Sequence, residues 1–267
     1  VTTASNLIYQ YWDGDLLQGC QAGVDNMRAY AERIGAEYLF EHNPRFVTNL
    51  GGYSPHYGSF KPIYDESFHK YDNVLFADTD VFAVDGLTES IFEGFDSDIG
   101  ICTEPFQPKQ RAKVPGPISR ANDEKWAGFV LSRWGTAVPR TEDGLVKVYN
   151  SGVVLYSNAG LLKAADRFIA FDEYVSAIRA SGLPGFYTSD QSYLHLMLDR
   201  TDWVEMDNDW NRFIHAYHTD ASKTATAIND SRTETTKFVH IQLRSADHWD
   251  AATQDRITNL PQSEWGI

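Results

Sequence analysis

The chain has 267 residues, 42% of them hydrophobic and 13% aromatic, with a formal net charge of −14. The apolar share excludes a disordered chain, and the length suits one large α/β domain or two small ones. The acidic balance excludes a backbone-binding nucleic-acid partner, which needs a basic footprint, but admits a phosphorylated small ligand where a divalent cation reverses the local sign.

Residues 7–12 form a short apolar and aromatic run that stops at Asp13-Gly14-Asp15, the pattern of a strand entering a loop. Leu17, Cys20, Val24, Met27, Tyr30, Ala31 and Ile34 then recur at helical spacing up to Gly35. Residues 37–40 read as a second strand, so the opening is strand–helix–strand, the unit of a parallel sheet. Gly and Pro make 49–55 a loop, and 61–69 is predicted as a helix with Pro62 in its first turn. Residues 73–84 are apolar on both sides of Asp78-Thr79-Asp80, as in a strand covered on both faces and interrupted by two carboxylates.

Residues 97–103 are a further strand, and the Pro-, Lys- and Arg-bearing stretch 104–120 is a candidate mobile loop. Residues 147–157 read as a strand broken by Asn150-Ser151-Gly152, and 161–178 carry apolar residues at helical spacing. A helix is expected over 189–198, with short elements at 204–211 and 238–243. No internal repeat or sharp linker divides the chain. No apolar run is long enough for a helix to span a bilayer. Cys20 and Cys102 fit no disulfide framework or CxxC spacing, so both are expected to be buried, and a reducing, cytoplasmic setting is the expectation. The start at Val1 without Met leaves open a place in a longer chain, or attachment at a membrane surface.

Asp-x-Asp is a cheap pattern, since Asp13/Asp15, Asp96/Asp98 and Asp207/Asp209 repeat it. Its context at Asp78/Asp80 differs. Ligands of open α/β sheets gather at the carboxyl ends of strands, and burying two carboxylates there is costly unless a cation or hydrogen bonds compensate. A hard divalent ion shared with a ligand's phosphates fits, against the bland reading of two acids in a strand-end turn. His240, after Lys237-Phe238-Val239, suits Mn²⁺ alongside two carboxylates, though a lone histidine is more often structural, and His195, His215, His218 and His248 compete for the role. Gly152 permits close approach of a ligand or marks a bulge, and Asp190 at a helix start is a ligand group or an N-cap. Trp210-Asn211 is an acceptor contact or a buried aromatic with a turn.

In chain order, Lys61, the Tyr71-to-Val81 strand ending in Asp78-Thr79-Asp80, Asn150-Ser151-Gly152, Ser189-Asp190-Gln191, Trp210-Asn211 and His240 resemble the motifs of glycosyltransferases of the GT-A fold. They are most similar to those of the family 8 galactosyl- and glucosyltransferases. The resemblance implies an α/β fold: one GT-A, Rossmann-like domain over 1–267, with a mostly parallel central sheet flanked by helices. Its nucleotide-binding part would cover about 1–103 and its acceptor and metal-completing part about 104–267. It implies transfer of a sugar from a nucleoside-diphosphate sugar, with UDP-sugar favoured, to a hydroxyl of a glycan or other acceptor.

Carried over residue by residue, Asp78, Asp80 and His240 would hold Mn²⁺ or Mg²⁺, with Asp78 also touching the donor ribose. Asn150 and Asp190 would hold the donor sugar, and Gln191 would lie by the anomeric carbon, making Asp190 and Gln191 the catalytic candidates. Lys61 and Thr79 would contact the nucleotide, with Tyr11, Trp12 and Asp13 at the base pocket. Two features depart from the family. Ser59 stands where it has a basic residue, and the closing His-x-x-Gly-x-x-Lys pattern is missing, with Arg244 as the candidate replacement for the lysine. One rival is a phosphatase of the haloacid dehalogenase type, with Asp78 as nucleophile and Asp80 as acid. It is disfavoured by Val81-Phe82 after the motif and by the lack of a suitable later Gly-Asp pair. The other is a non-catalytic glycan-binding domain on the same fold.

Overall fold

Alternating apolar residues put the strands of the centre in contact with two different layers. The computed structural model describes residues 5–113, 115–219, 224–243 and 250–265; Arg244 lies outside them. Among these, the strands are β1 (Asn6–Trp12), β2 (Glu37–His42), β3 (Asn73–Ala77), β4 (Val81–Ala83), β5 (Ile99–Thr103), β6 (Tyr149–Ser157), β7 (Trp203–Glu205), β8 (Arg212–Thr219), β9 (Thr224–Asp230) and β10 (Phe238–Leu243). The α-helices are α1 (Gln18–Ile34), α2 (Lys61–Tyr64), α3 (Gln107–Arg111), α4 (Arg120–Trp134), α5 (Asn158–Arg167), α6 (Phe171–Ala180), α7 (Asp190–Met197) and α8 (Ala251–Asn259).

The central sheet runs β2-β1-β3-β6-β5-β7. β1 is parallel to β2 and β3, and β5 is parallel to β7. β6 runs antiparallel between β3 and β5. The sheet is therefore mostly parallel and flanked by helices, as expected. Leu7 and Tyr9 of β1, Val74 and Phe76 of β3, and Val154 and Tyr156 of β6 share a core with α4, α5, α6 and α7. Ile8, Leu75, Ala77, Val153 and Leu155 turn the other way, onto Met27, Tyr30 and Ala31 of α1 and onto Val81 and Phe238. Each such Val, Leu, Ile, Phe or Met side chain contributes about 1.5–3 kcal/mol by leaving water. That two-sided burial explains the continuous apolar runs.

A second sheet, β4-β10-β8-β9, stands beyond the carboxyl end of β3. Residues 73–84, expected as one interrupted strand, are two strands of different sheets: β3 ends at Ala77 and the chain re-forms as β4 at Val81. β4 pairs antiparallel with β10, aligning Val81 with His240, and the Ile241 N–H donates to the Asp80 carbonyl at 2.9 Å. Asp78, Thr79 and Asp80 are the hinge between the sheets.

Other differences are local. The expected 49–55 loop is part of a 3-10 run over Gly51–Phe60, and the 61–69 helix is the short α2 followed by a 3-10 turn over Glu66–Phe68. The 161–178 pattern splits into α5 and α6 because the chain is extended at Phe168 and Ala170. The candidate mobile stretch 104–120 contains α3, and Arg111 of α3 reaches a buried ion pair with Asp123, 3.1 Å away. α4, the β8–β9 hairpin and α8 were not expected. Cys20 and Cys102 are both buried and free. Among the described residues no helix is long and apolar enough to cross a membrane.

Candidate active site

The backbone of the hinge is held on both sides of Asp78. The Asp78 N–H donates to the Gly152 carbonyl of β6 at 2.8 Å, and the Asp78 carbonyl accepts from Nε2 of Gln10 at 2.9 Å and from the Val81 N–H at 3.1 Å. Gln10 is fully buried in β1, with its Oε1 accepting from the Tyr38 hydroxyl at 2.7 Å. A buried amide satisfied on both ends is a fixed support. Helix α1 passes so close that a Cβ on Gly23 would lie 1.9 Å from the Thr79 carbonyl oxygen.

With the hinge fixed, the two carboxylates meet His240. Its Nε2 is 3.1 Å from Oδ1 of Asp80 and 4.0 Å from Oδ2 of Asp78. One ligand atom from each of the three residues lies within 4.8 Å of the others. Neighbouring ligands on a hard cation with bonds of about 2.1 Å are separated by about 3.0 Å, and opposite ones by about 4.2 Å. The two His240 spacings fall in that range, and two carboxylate oxygens with one imidazole form a donor set suited to Mn²⁺ or Mg²⁺. Gly152 makes this convergence possible. A Cβ there would stand 2.5 Å from Cε1 of His240 and 2.6 Å from Oδ2 of Asp78.

The electrostatics are those of several acids gathered around one imidazole. Enclosure in the cleft, followed by the Asp80 charge, raises the Asp78 carboxyl, with His240 opposing. The Asp78 side chain is nonetheless 44% exposed, open toward the cleft. Burial pulls the His240 imidazole down, but Asp80, Asp78 and Glu104 outweigh it and push it up to about 8. Burial also raises Asp190, opposed by His56, the Ser151 hydroxyl and backbone N–H groups, and it raises Glu104. Acids raised by burial inside a cleft are characteristic of functional sites.

A cleft of ≈ 280 Å³ adjoins the carboxylates, lined by Tyr11, Trp12 and Asp13 from the end of β1, by Cys20 of α1, by His56, and by Asp78, Thr79 and Asp80. The Tyr11 ring is set by Gly58, where a Cβ would come within 2.5 Å of its edge, and its hydroxyl donates to the Pro55 carbonyl at 2.7 Å. The Trp12 indole donates to the Asp15 carbonyl at 2.9 Å, and Asp13 accepts from the Arg45 N–H at 3.0 Å.

The other expected residues fall into two groups. Asn150 and Gln191 both donate to Oε1 of the buried Glu104, at 2.8 and 3.3 Å, and Asp190 opens α7 with its Oδ1 4.0 Å from Nδ1 of His56. Lys61 faces elsewhere. Its ammonium lies 2.5 and 2.7 Å from the Glu41 carboxylate oxygens and 3.6 Å from Asp65. Ser59, in place of a basic residue, is buried and donates to the His56 carbonyl. Sequence reasoning missed Glu104, Gln10, Gly23 and His56. Glu104 had a signal: it is the acid directly after the apolar run of β5, the same strand-end position that marks Asp78. The others had none, because their partners are 28 or more positions away or lie in irregular segments.

No protein-family model matches the chain, and no curated protein sequence does. Solved structures match in shape. Xyloside xylosyltransferase 1 from mouse superposes with a TM-score of 0.52, over 88% of this chain and 97% of that one, at 13% identity. The galactosyltransferase LgtC, solved with donor and acceptor sugar analogues, gives a TM-score of 0.50 over 96% and 98% of the two chains, at 15% identity. Both are spanned almost end to end. The chain has the GT-A fold of nucleotide-sugar glycosyltransferases.

Proposed function

We propose that the chain is a metal-dependent glycosyltransferase that moves a sugar from a nucleoside-diphosphate sugar, with a UDP-sugar favoured, to a hydroxyl of a glycan or another acceptor. The convergence of Asp78, Asp80 and His240 beside the aromatic cleft carries this reading. A bound Mn²⁺ or Mg²⁺ would supply Lewis-acid stabilisation of the charge that builds on the departing diphosphate. Asp80 and His240 hold the cation, and Asp78 serves both cation and donor ribose. Tyr11, Trp12 and Asp13 enclose the base, with Thr79 and Arg244 as further nucleotide contacts, while Lys61 is held by Glu41. Asn150 and Asp190 orient the donor sugar, and Gln191 faces the anomeric centre. The chain's contribution is positioning and electrostatic preorganisation around an oxocarbenium-like transition state. The order of the motifs favours a family 8 type of enzyme. The same reading divides the domain into a nucleotide-binding part over about 1–103 and an acceptor and metal-completing part over about 104–267. Two buried, unpaired thiols favour a reducing, cytoplasmic setting.

Thermal-shift titration with UDP-, GDP- and dTDP-sugars, with and without Mn²⁺, reads donor and metal requirement together, because a ligand that binds only the native state raises its stability by mass action. Asp80→Asn is expected to keep the fold and abolish metal-dependent donor hydrolysis; near-normal turnover rejects the assignment. A phosphatase would instead hydrolyse phosphate esters through an aspartyl-phosphate at Asp78, and a glycan-binding domain would take acceptor without metal-dependent affinity for a nucleoside diphosphate.

A further inference from the structure

Behind His240 lies a chain of buried side chains whose hydrogen bonds run in one direction. Its sense is set by a neighbouring group that can only donate. The Gly152 backbone N–H is 2.8 Å from Oδ1 of Asn150, which fixes the orientation of that amide. The Asn150 Nδ2 accordingly faces the Glu104 carboxylate at 2.8 Å. Oδ1 of Asn150 takes a second donor, Nδ2 of Asn211, at 3.0 Å, leaving Oδ1 of Asn211 turned to Nδ1 of His240 at 3.1 Å. An amide oxygen offers no proton, so Nδ1 must carry it, and the lone pair of the neutral ring is then on Nε2, the atom facing Asp78 and Asp80. All four members are nearly sealed: Glu104 is 2% exposed, Asn150 4%, Asn211 1% and His240 2%. Water therefore offers no alternative partners. Phe213 stacks on the imidazole at 5.0 Å and fixes its plane.

We propose that Asn211, oriented by Asn150 between the Gly152 N–H and Glu104, is a positioning residue that holds His240 as its Nδ1–H tautomer and so presents Nε2 to the cation. This rests on the metal-binding reading of the site. A metal-bound imidazole ordinarily donates its other N–H to such a partner, and loss of the partner weakens metal binding. Asn211→Asp keeps an oxygen acceptor for Nδ1–H, whereas Asn211→Leu keeps none.

The test uses the full chain and Mn²⁺ alone, with free Mn²⁺ followed by electron paramagnetic resonance and melting in EDTA as the folding control. Asn211→Leu should lose about 10–100-fold in Mn²⁺ affinity, with Asn211→Asp recovering most of it. A merely structural role would not separate Asp from Leu in Mn²⁺ affinity at matched melting temperature. Nitrogen-15 spectra of histidine-labelled, Mg²⁺-loaded wild type should show the His240 proton on Nδ1, a readout that needs no variant to fold. A proton on Nε2 overturns the proposal and removes His240 from the ligand set, whereas wild-type affinity in Asn211→Leu overturns the proposal and leaves the metal site standing. Wild type that binds no Mn²⁺ refutes the metal reading and this relay together.

Discussion

Gly152→Ala adds a single methyl group to the floor of the site. Its backbone is not in the left-handed region, so the effect is steric. The new Cβ would meet Cε1 of His240 at 2.5 Å, Oδ2 of Asp78 at 2.6 Å and Oδ1 of Asn150 at 2.9 Å. Ordinary contact is about 3.5–4.0 Å, so His240 and Asp78 must each move by about 1 Å. His240 has little room, pinned by Phe213 and Asn211, so the Asp78 carboxylate takes most of the displacement. Overpacking of this kind costs about 1–3 kcal/mol of stability, which a folded domain survives. Metal ligation is less forgiving, since ligand distances tolerate only about 0.2 Å, and a loss of at least tenfold in Mn²⁺ affinity is expected. The assay pairs Mn²⁺ titration with melting in EDTA. A folded Gly152→Ala protein that binds Mn²⁺ as tightly as the wild type would refute the idea that Gly152 is there to let the ligands meet.

Three further outcomes are expected. In EDTA, His240 holds its proton more tightly folded (about 8) than unfolded (6.5), so its stabilisation is complete below about 6.5 and lost as pH rises through about 8. His195, buried neutral and lowered to about 3, has the opposite slope, but only below its unfolded value of 6.5. Between about pH 7 and 8.5 the metal-free protein should therefore lose about 1 kcal/mol, or about 2–4 °C in melting temperature, and Mn²⁺ should reverse the slope because binding displaces the proton; a melting temperature in EDTA that stays level or rises counts against this site. Gly23→Ala drives a methyl to 1.9 Å from the Thr79 carbonyl oxygen, backbone against backbone, and should cost at least about 1–3 kcal/mol together with donor-dependent stabilisation; an unchanged melt contradicts the close packing of α1 on the hinge. Gly128→Ala, at an exposed position of α4 with nothing near the added Cβ, should stabilise by about 0.5–1 kcal/mol, and a lower melting temperature would show that the site is not open.

The local code was strongest where burial is two-sided. The runs 7–12, 73–77 and 153–157 announced strands of a covered sheet, and the spacing of Leu17 to Ile34 announced α1, because both patterns are written within one element. Asp78 and Asp80 were conspicuous as charges between apolar runs, and the order of short motifs brought in Asn150, Asp190, Gln191 and His240. Helix α4 escaped because its apolar residues, such as the buried Trp126 and the exposed Leu131, do not share one face. Glu104 was read as the start of a loop, whereas burial against Asn150 and Gln191 makes it the acceptor behind the site.

By itself, then, the order of residues determined the sheet, its layers and which acids were out of place in an apolar setting, since each depends on neighbours a few positions apart. Only the tertiary structure decided that the chain changes sheets across Asp78, Thr79 and Asp80. It alone showed that Lys61 is spoken for by Glu41, and that Gly152, Asn150 and Asn211 stand in line behind His240. Those facts depend on groups far apart in the chain. They are selected by the need to pair buried polar atoms with one another, a requirement that exists only after the layers have closed.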